Sequence, residues 1–237
     1  MLPHKLTFCL LLFLTVPVTI VAQRKAPAGG RLAVVVDERL AALRATPQLN
    51  GRLVRRLSRG RLLAVRSMKT SADGVVFYLV NLSSRTHGWI QREAVVSPSR
   101  TADDQRLLAL IERSQGFDRL ARARVFIDHF PRSRFRPNVL LLLGDTAEEL
   151  AVNLSRDAAR RVKQNRGEAP EFTYFLNYTG LDRYNRLEIT FVFDQSTNRF
   201  HYDGAAWREL IRRYPHSPVA AEAKIKLDSL YSQLRSK

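Results

Sequence analysis

Six arginines fall within fifteen residues of this sequence: Arg52, Arg55, Arg56, Arg59, Arg61 and Arg66. A guanidinium presents a planar fork of N–H donors that matches the oxygen pairs of carboxylates and phosphates. On two strands joined by a tight turn, alternate arginines share a face and stand close together. Like charges crowded in that way cost stability unless an anion neutralises them. The chemistry implied is binding of an anion that carries phosphate or carboxylate groups. A solvated, arginine-rich face is the other reading of the same residues, since charge runs usually are just that.

Residue types that carry catalysis are sparse. The histidines His87, His129, His201 and His216 have no HExxH neighbourhood and no carboxylates at ligand spacing, so surface or structural roles are expected for them. Cys9 is the only cysteine. That rules out a disulfide framework, a zinc cluster and a CxxC motif, and leaves a papain-like peptidase without its nucleophile once the segment holding Cys9 is removed. GxSxG, GxGxxG and Walker-type loops are absent. Glu148-Glu149 is expected on a solvated helix face. The sequence therefore predicts neither enzyme nor cofactor nor metal.

The elements that position these residues begin after a leader. Leu6 to Ala22 run without a charge behind Lys5, and Pro17 discourages a continuous spanning helix. A signal peptide over 1–22 is predicted, with cleavage between Ala22 and Gln23. The alternative is an uncleaved inner-membrane anchor, since the run is close to the lower limit for a span. Cys9 sits inside the run behind Phe8, which does not fit a lipoprotein. Export to the periplasm or cell envelope is expected either way. It also makes nucleic acid an unlikely partner, although the charge and the aromatics Phe77, Tyr78 and Trp89 would suit one. Formal net charge is +17. Residues 23–100 hold 15 basic and 4 acidic side chains, against 23 and 18 in residues 101–237, so the excess is concentrated in the smaller part.

A Pro/Gly/Ala-rich linker (23–30) leads into short strand-like runs: Arg31–Val36, Gly51–Leu57, Arg61–Arg66, Val75–Asn81, Gly88–Ile90 and Ala94–Val96. Asp73-Gly74 marks a hairpin. Pro98 stops the last strand, and Thr101 or Asp103 can cap the helix that follows. Five or six short strands in this length predict a small barrel over 31–98.

LAALRATPQLNGRLVRRLSRGRLLAVRS, then DGVVFYLVN, then HGWIQREAVV, resembles a bacterial SH3-like (SH3b) domain. Arg44, Pro47, Gly51, Gly60, Tyr78, Gly88, Trp89 and Ile90 occupy the positions that carry the resemblance; Phe77-Tyr78 departs from the more usual Trp-Tyr pair. The resemblance implies a non-catalytic module of exported bacterial proteins that often binds peptidoglycan or its peptides. The ligand-binding candidates are Arg44, Arg52, Arg55, Arg56, Arg59, Tyr78 and Trp89. Tyr78 and Trp89 have a second reading as core residues, because a small barrel needs large aromatics to fill it.

Residues 99–237 have helical periodicity. Helices are predicted over Asp103–Ser114, Phe117–Phe130, about 134–165, Gly204–Tyr214 and Val219–Leu234. An offset of 84 residues superposes Ile127 on Ile211, Phe130 on Tyr214, Pro131 on Pro215, Ser133 on Ser217, Leu143 on Leu227 and Leu150 on Leu234. The repeated aromatic–Pro-x-Ser turn between amphipathic helices resembles tetratricopeptide-like (TPR) repeats of exported envelope proteins. An insertion at about 168–203 separates the two units, with Leu187–Phe193 and Arg199–Tyr202 pairing as a hairpin and Glu171–Tyr178 helical. The expected fold class is thus α+β multidomain: an SH3-like β-barrel, then TPR-like helical hairpins with a short β-hairpin insertion. The expected function is an exported, non-enzymatic scaffold. Its barrel holds cell wall or another anionic envelope component, with transient membrane contact, and its helices bind a protein. A protein-only adaptor, or an accessory subunit of an envelope enzyme or assembly machine, is the alternative.

Overall fold

Runs of Val, Leu and Ala interrupted by glycine and polar turns build seven strands: β1 (Arg31–Val35), β2 (Ala42–Arg44), β3 (Leu53–Arg56), β4 (Leu62–Thr70), β5 (Val76–Asn81), β6 (His87–Gln91) and β7 (Val95–Val96). The computed structural model describes residues 29–164 and 179–235; the leader, the Ala22–Gln23 junction and the predicted helix Glu171–Tyr178 lie outside the described residues. The strands pair antiparallel in the order β3-β2-β6-β5-β4-β1-β7. The architecture is mixed α+β, as the sequence implies. The barrel expected over 31–98 is not closed, however: β3 and β7 are free edges of one sheet.

A second correction concerns the arginines. Their crowding presupposed that the strands before and after Ser58–Gly60 pair with each other. Instead β3 pairs only with β2, while β4 pairs with β5 and β1. Leu57 explains the divergence. Its side chain is buried in the sheet core and its N–H donates to the Ala41 carbonyl, while Gly60, at φ +75°, donates to Val35. The chain between β3 and β4 is therefore held by β1 and β2 and does not turn back on itself. β2 escapes sequence reading, because three residues are too few to show a period. The Asp73-Gly74 hairpin does form, with Ser71 N–H on the Val75 carbonyl at 2.8 Å and Gly74 at φ +75°.

Alternation splits the sheet between two cores. Ala33, Val35, Leu43, Leu63, Tyr78 and Ile90 fill one. Val34, Val36 and Val96, on the other face, join the helical core of Leu107, Ile111, Leu120 and Phe126. The helices are α1 (Asp103–Glu112), α2 (Gly116–His129), α3 (Arg136–Gln164), α4 (Asp182–Asn185), α5 (Ala205–Arg213) and α6 (Ala220–Arg235), with a hairpin β8 (Phe191–Asp194) and β9 (Arg199–Tyr202) between α4 and α5. No helix among the described residues is long and apolar enough to cross a membrane.

The 84-residue offset reappears in the backbone. Phe130 and Tyr214 end α2 and α5 with nearly the same dihedrals (φ −120°, ψ 57°; φ −134°, ψ 51°). Ser133 N–H donates to Phe130 and Ser217 to Tyr214; Arg136 donates to Ser133 and Ala220 to Ser217. The same aromatic–Pro-x-Ser turn thus makes the same hydrogen bonds twice. The β8–β9 hairpin, marginal in isolation, is pinned to α3: Phe200 N–H donates to Ser155 Oγ at 2.8 Å and Tyr202 N–H to Glu148 Oε2 at 3.0 Å.

Sheet and helices meet around a buried guanidinium. Arg122 on α2 donates through Nε to the Val36 carbonyl (3.2 Å), through Nη1 to Ser114 Oγ, and faces Asp37 Oδ2 at 3.7 Å. Asp37 is itself buried and accepts the N–H and guanidinium of Arg39, which hold its carboxyl below the usual carboxylate range. Arg106 reaches from α1 to the carbonyls of Glu93 and Val95, and Asp103 accepts Ser97 N–H at 2.8 Å. Replacing Asp37 by Ala leaves a buried cation without its carboxylate and is expected to cost about 3 kcal/mol in a denaturant titration at neutral pH. Because the Asp37 pKa is depressed in the folded protein, this contribution is present above about pH 4 and is lost as pH falls through the lowered value. The gap between wild type and variant should therefore narrow in acid.

Candidate anionic-surface edge and helical groove

The seven ligand-binding candidates separate into structural and exposed residues. Arg44 is half-buried and donates through Nη1 to the Gly51 carbonyl at 2.8 Å, closing the 45–51 turn between β2 and β3. Arg59 has only 11% of its side chain exposed and pairs with Asp118 on α2 at 3.0 Å, while its N–H donates to Glu38. These two arginines hold the fold together. Tyr78 is buried in the sheet core, its hydroxyl accepting Arg100 Nη1 at 2.7 Å.

Arg52, Arg55 and Arg56 are exposed, and among the described residues no ion pair includes them. They stand on or beside β3, whose outer edge pairs with nothing. Trp89 is half-buried on the opposite sheet face from Tyr78. In register it lies across from Arg44 on one side and Leu79 on the other, and Arg44 lies across from Leu53. The structure thus gathers Arg52, Arg55, Arg56, Arg44 and Trp89 at one end of the sheet and assigns Tyr78 and Arg59 elsewhere. Leu49, Leu53 and Val54 are 44%, 44% and 40% exposed at the same end. Sequence pattern misses them, because apolar residues in a strand are ordinarily assigned to a core.

The second concave feature lies between α3, β9 and α6. Two adjoining cavities of about 710 and 390 Å³ share Glu148, Val152 and Gln233. Glu148 is not on a solvated face as expected: it is half-buried, anchoring Tyr202 and standing 3.7 Å from His201 Nδ1. His201 is buried and its Nδ1 makes no hydrogen bond. Asp145 accepts Trp207 Nε1 at 3.2 Å and Lys226 Nζ at 3.2 Å, yet burial pushes its carboxyl above the usual carboxylate range. His129, at the end of α2, is held below the ordinary imidazole range by burial, while His87 and His216 are exposed. Among the described residues no three His, Cys, Asp or Glu side chains are grouped to hold a metal ion.

Two expectations follow for stability. Arg55→Ser with Arg56→Ser should leave the melting temperature unchanged, because no contact is lost, whereas Arg59→Ser should lower it by removing a mostly buried partner of Asp118. Asp145→Asn keeps the Trp207 hydrogen bond and removes a charge that burial disfavours. At pH 7 the variant should be as stable as wild type or more so. Its advantage should shrink in acid, where wild-type Asp145 takes up its proton; a marked loss at pH 7 would show that the Lys226 pair outweighs desolvation.

Compared with known proteins, the chain matches no family model, no curated protein and no solved structure.

Proposed function

We propose that this chain is a non-enzymatic binding protein of the bacterial cell envelope. Its SH3-like sheet holds an anionic component through the β3 arginines, and its TPR-like helices receive a protein. The observation that carries the reading is the division of the arginines. Arg44 and Arg59 are held by a carbonyl and a carboxylate, while Arg52, Arg55 and Arg56 stand exposed at the β3 edge and, among the described residues, in no ion pair. Cations kept exposed on a short edge strand also discourage edge-to-edge association, but Arg44 and Trp89 extend the feature across the face, where edge protection needs nothing. The twice-used aromatic–Pro-x-Ser turn supports the TPR-like assignment, and the groove between α3 and α6 gives a protein segment a place to lie. The apolar leader supports export.

The test is co-sedimentation with peptidoglycan sacculi and with anionic lipid vesicles across a salt series. Binding to either that weakens as salt rises, and that is lost when Arg52, Arg55 and Arg56 are all replaced by Ser, supports the reading. Retention in the supernatant with both at low salt overturns it. The groove then favours the protein-only adaptor, for which one stoichiometric partner should co-purify.

A further inference from the structure

We infer that the β3 end of the sheet is a contact site for the surface of an anionic lipid bilayer. From Arg39 to Ala72 the chain carries nine cations and no acidic residue. Arg39 and Arg59 find carboxylates outside this stretch, in Asp37 and Asp118, and Arg44 is held by a backbone carbonyl. Arg52, Arg55 and Arg56 have no such partner, so the local charge is complementary to a dense anionic surface. A wall polymer bearing only carboxylates would account for these arginines. It leaves unexplained the exposed aliphatics in the same segment, Leu53 and Val54 between the arginines and Leu49 in the adjoining turn.

A bilayer surface accounts for both. Headgroup phosphates meet the guanidinium groups, and short aliphatic side chains enter the boundary between headgroups and acyl chains. The register adds a third element. The row Leu53, Arg44, Trp89, Leu79 runs directly across four adjacent strands, and a half-exposed tryptophan beside a cation suits headgroup depth. The core shared with the helices takes in Val34, Val36 and Val96 of the β1–β7 end, while residues 52–56 are all exposed. The contact would set the β3 edge of the sheet, with side chains of both its faces, against the membrane.

The inference rests on the reading of the β3 arginines as an anion contact, and the experiment separates the two. The protein used begins at Gln23. Both hydrophobic cores lie within residues 29–235, so this chain keeps every described contact and loses the apolar leader, which would itself partition into lipid. Flotation is measured with vesicles of phosphatidylcholine containing phosphatidylglycerol and with pure phosphatidylcholine, at low and high salt, beside sedimentation with sacculi. Binding is expected to the anionic vesicles only. Arg55→Ser with Arg56→Ser should weaken it roughly thirtyfold, from about 1 kcal/mol per cation near the surface. Leu53→Ser with Val54→Ser should retain low-salt binding and lose what persists at high salt. Unchanged far-UV circular dichroism and melting temperature verify that each variant is folded. Sacculus binding without vesicle binding overturns the bilayer contact and leaves the function proposed above standing; binding to neither overturns both. Vesicle binding indifferent to the arginines, or equally salt-sensitive with and without Leu53 and Val54, also overturns the bilayer contact.

Discussion

A guanidinium removed from water must find acceptors for its donors or the fold does not form. Arg122 meets that requirement by drawing on three parts of the chain at once: the Val36 carbonyl at the end of β1, Asp37 beside it, and Ser114 between α1 and α2. Each partner is placed by something else. Val36 sits in the shared core, Asp37 is steadied by Arg39, and Ser114 bonds the Leu110 carbonyl at the end of α1. The sheet and the helices therefore cannot shift against one another without stranding a buried charge. Arg106 and Asp103, which bond the backbone of residues 93–97, add the same constraint along α1. The two parts share one apolar core and one polar hinge point, and they behave as a single support.

That support explains how the arginine excess can be tolerated. Arg39, Arg59 and Arg122 are drawn into the joint, where carboxylates and a carbonyl absorb them. Arg52, Arg55 and Arg56 on or beside β3 remain in water, where mutual repulsion is screened and small. The aliphatic neighbours of those arginines remain exposed for a related reason. β3 pairs on one side only, and among the described residues Leu53 and Val54 belong to neither core.

The helical side follows a different logic. α3 is long enough to serve both helix–turn–helix units, packing on α2 along one part and on the hairpin and α5 along another. Gly144 permits this: any side chain there would run into the Trp207 ring. The groove beside it combines an exposed apolar lining, Val152 and Ile225, with the carboxylates Asp145, Glu148 and Glu149. Glu148 is occupied in holding β9, and Asp145 in holding Trp207 and Lys226, so Glu149 is the carboxylate of the three that is left exposed.

Periodicity and turn chemistry were enough to place most elements. Leu107 to Ile111 and Leu120 to Phe130 mark α1 and α2, Asp73-Gly74 marks the β4–β5 hairpin, and the aromatic–Pro-x-Ser pair foretells a turn made twice. These are local properties, carried by residues a few positions apart, and a chain segment expresses them wherever it lies. Strand partners are not local. Whether β3 pairs with β4 or with β2 depends on Leu57 finding the core and on the Ala41 carbonyl receiving its N–H, and nothing between Leu53 and Arg66 encodes either. The fate of each arginine is decided at still longer range. Arg59 reads like Arg56 in sequence, but its carboxylate lies 59 residues on, and the carbonyl that holds Arg122 lies 86 residues back. Sequence alone determined which residues carry charge and where most of the helices and longer strands lie, though not β2 or α4. Only the tertiary structure decided which charges are neutralised and which are left in solvent, because burial and pairing are properties of residues brought together from distant parts of the chain.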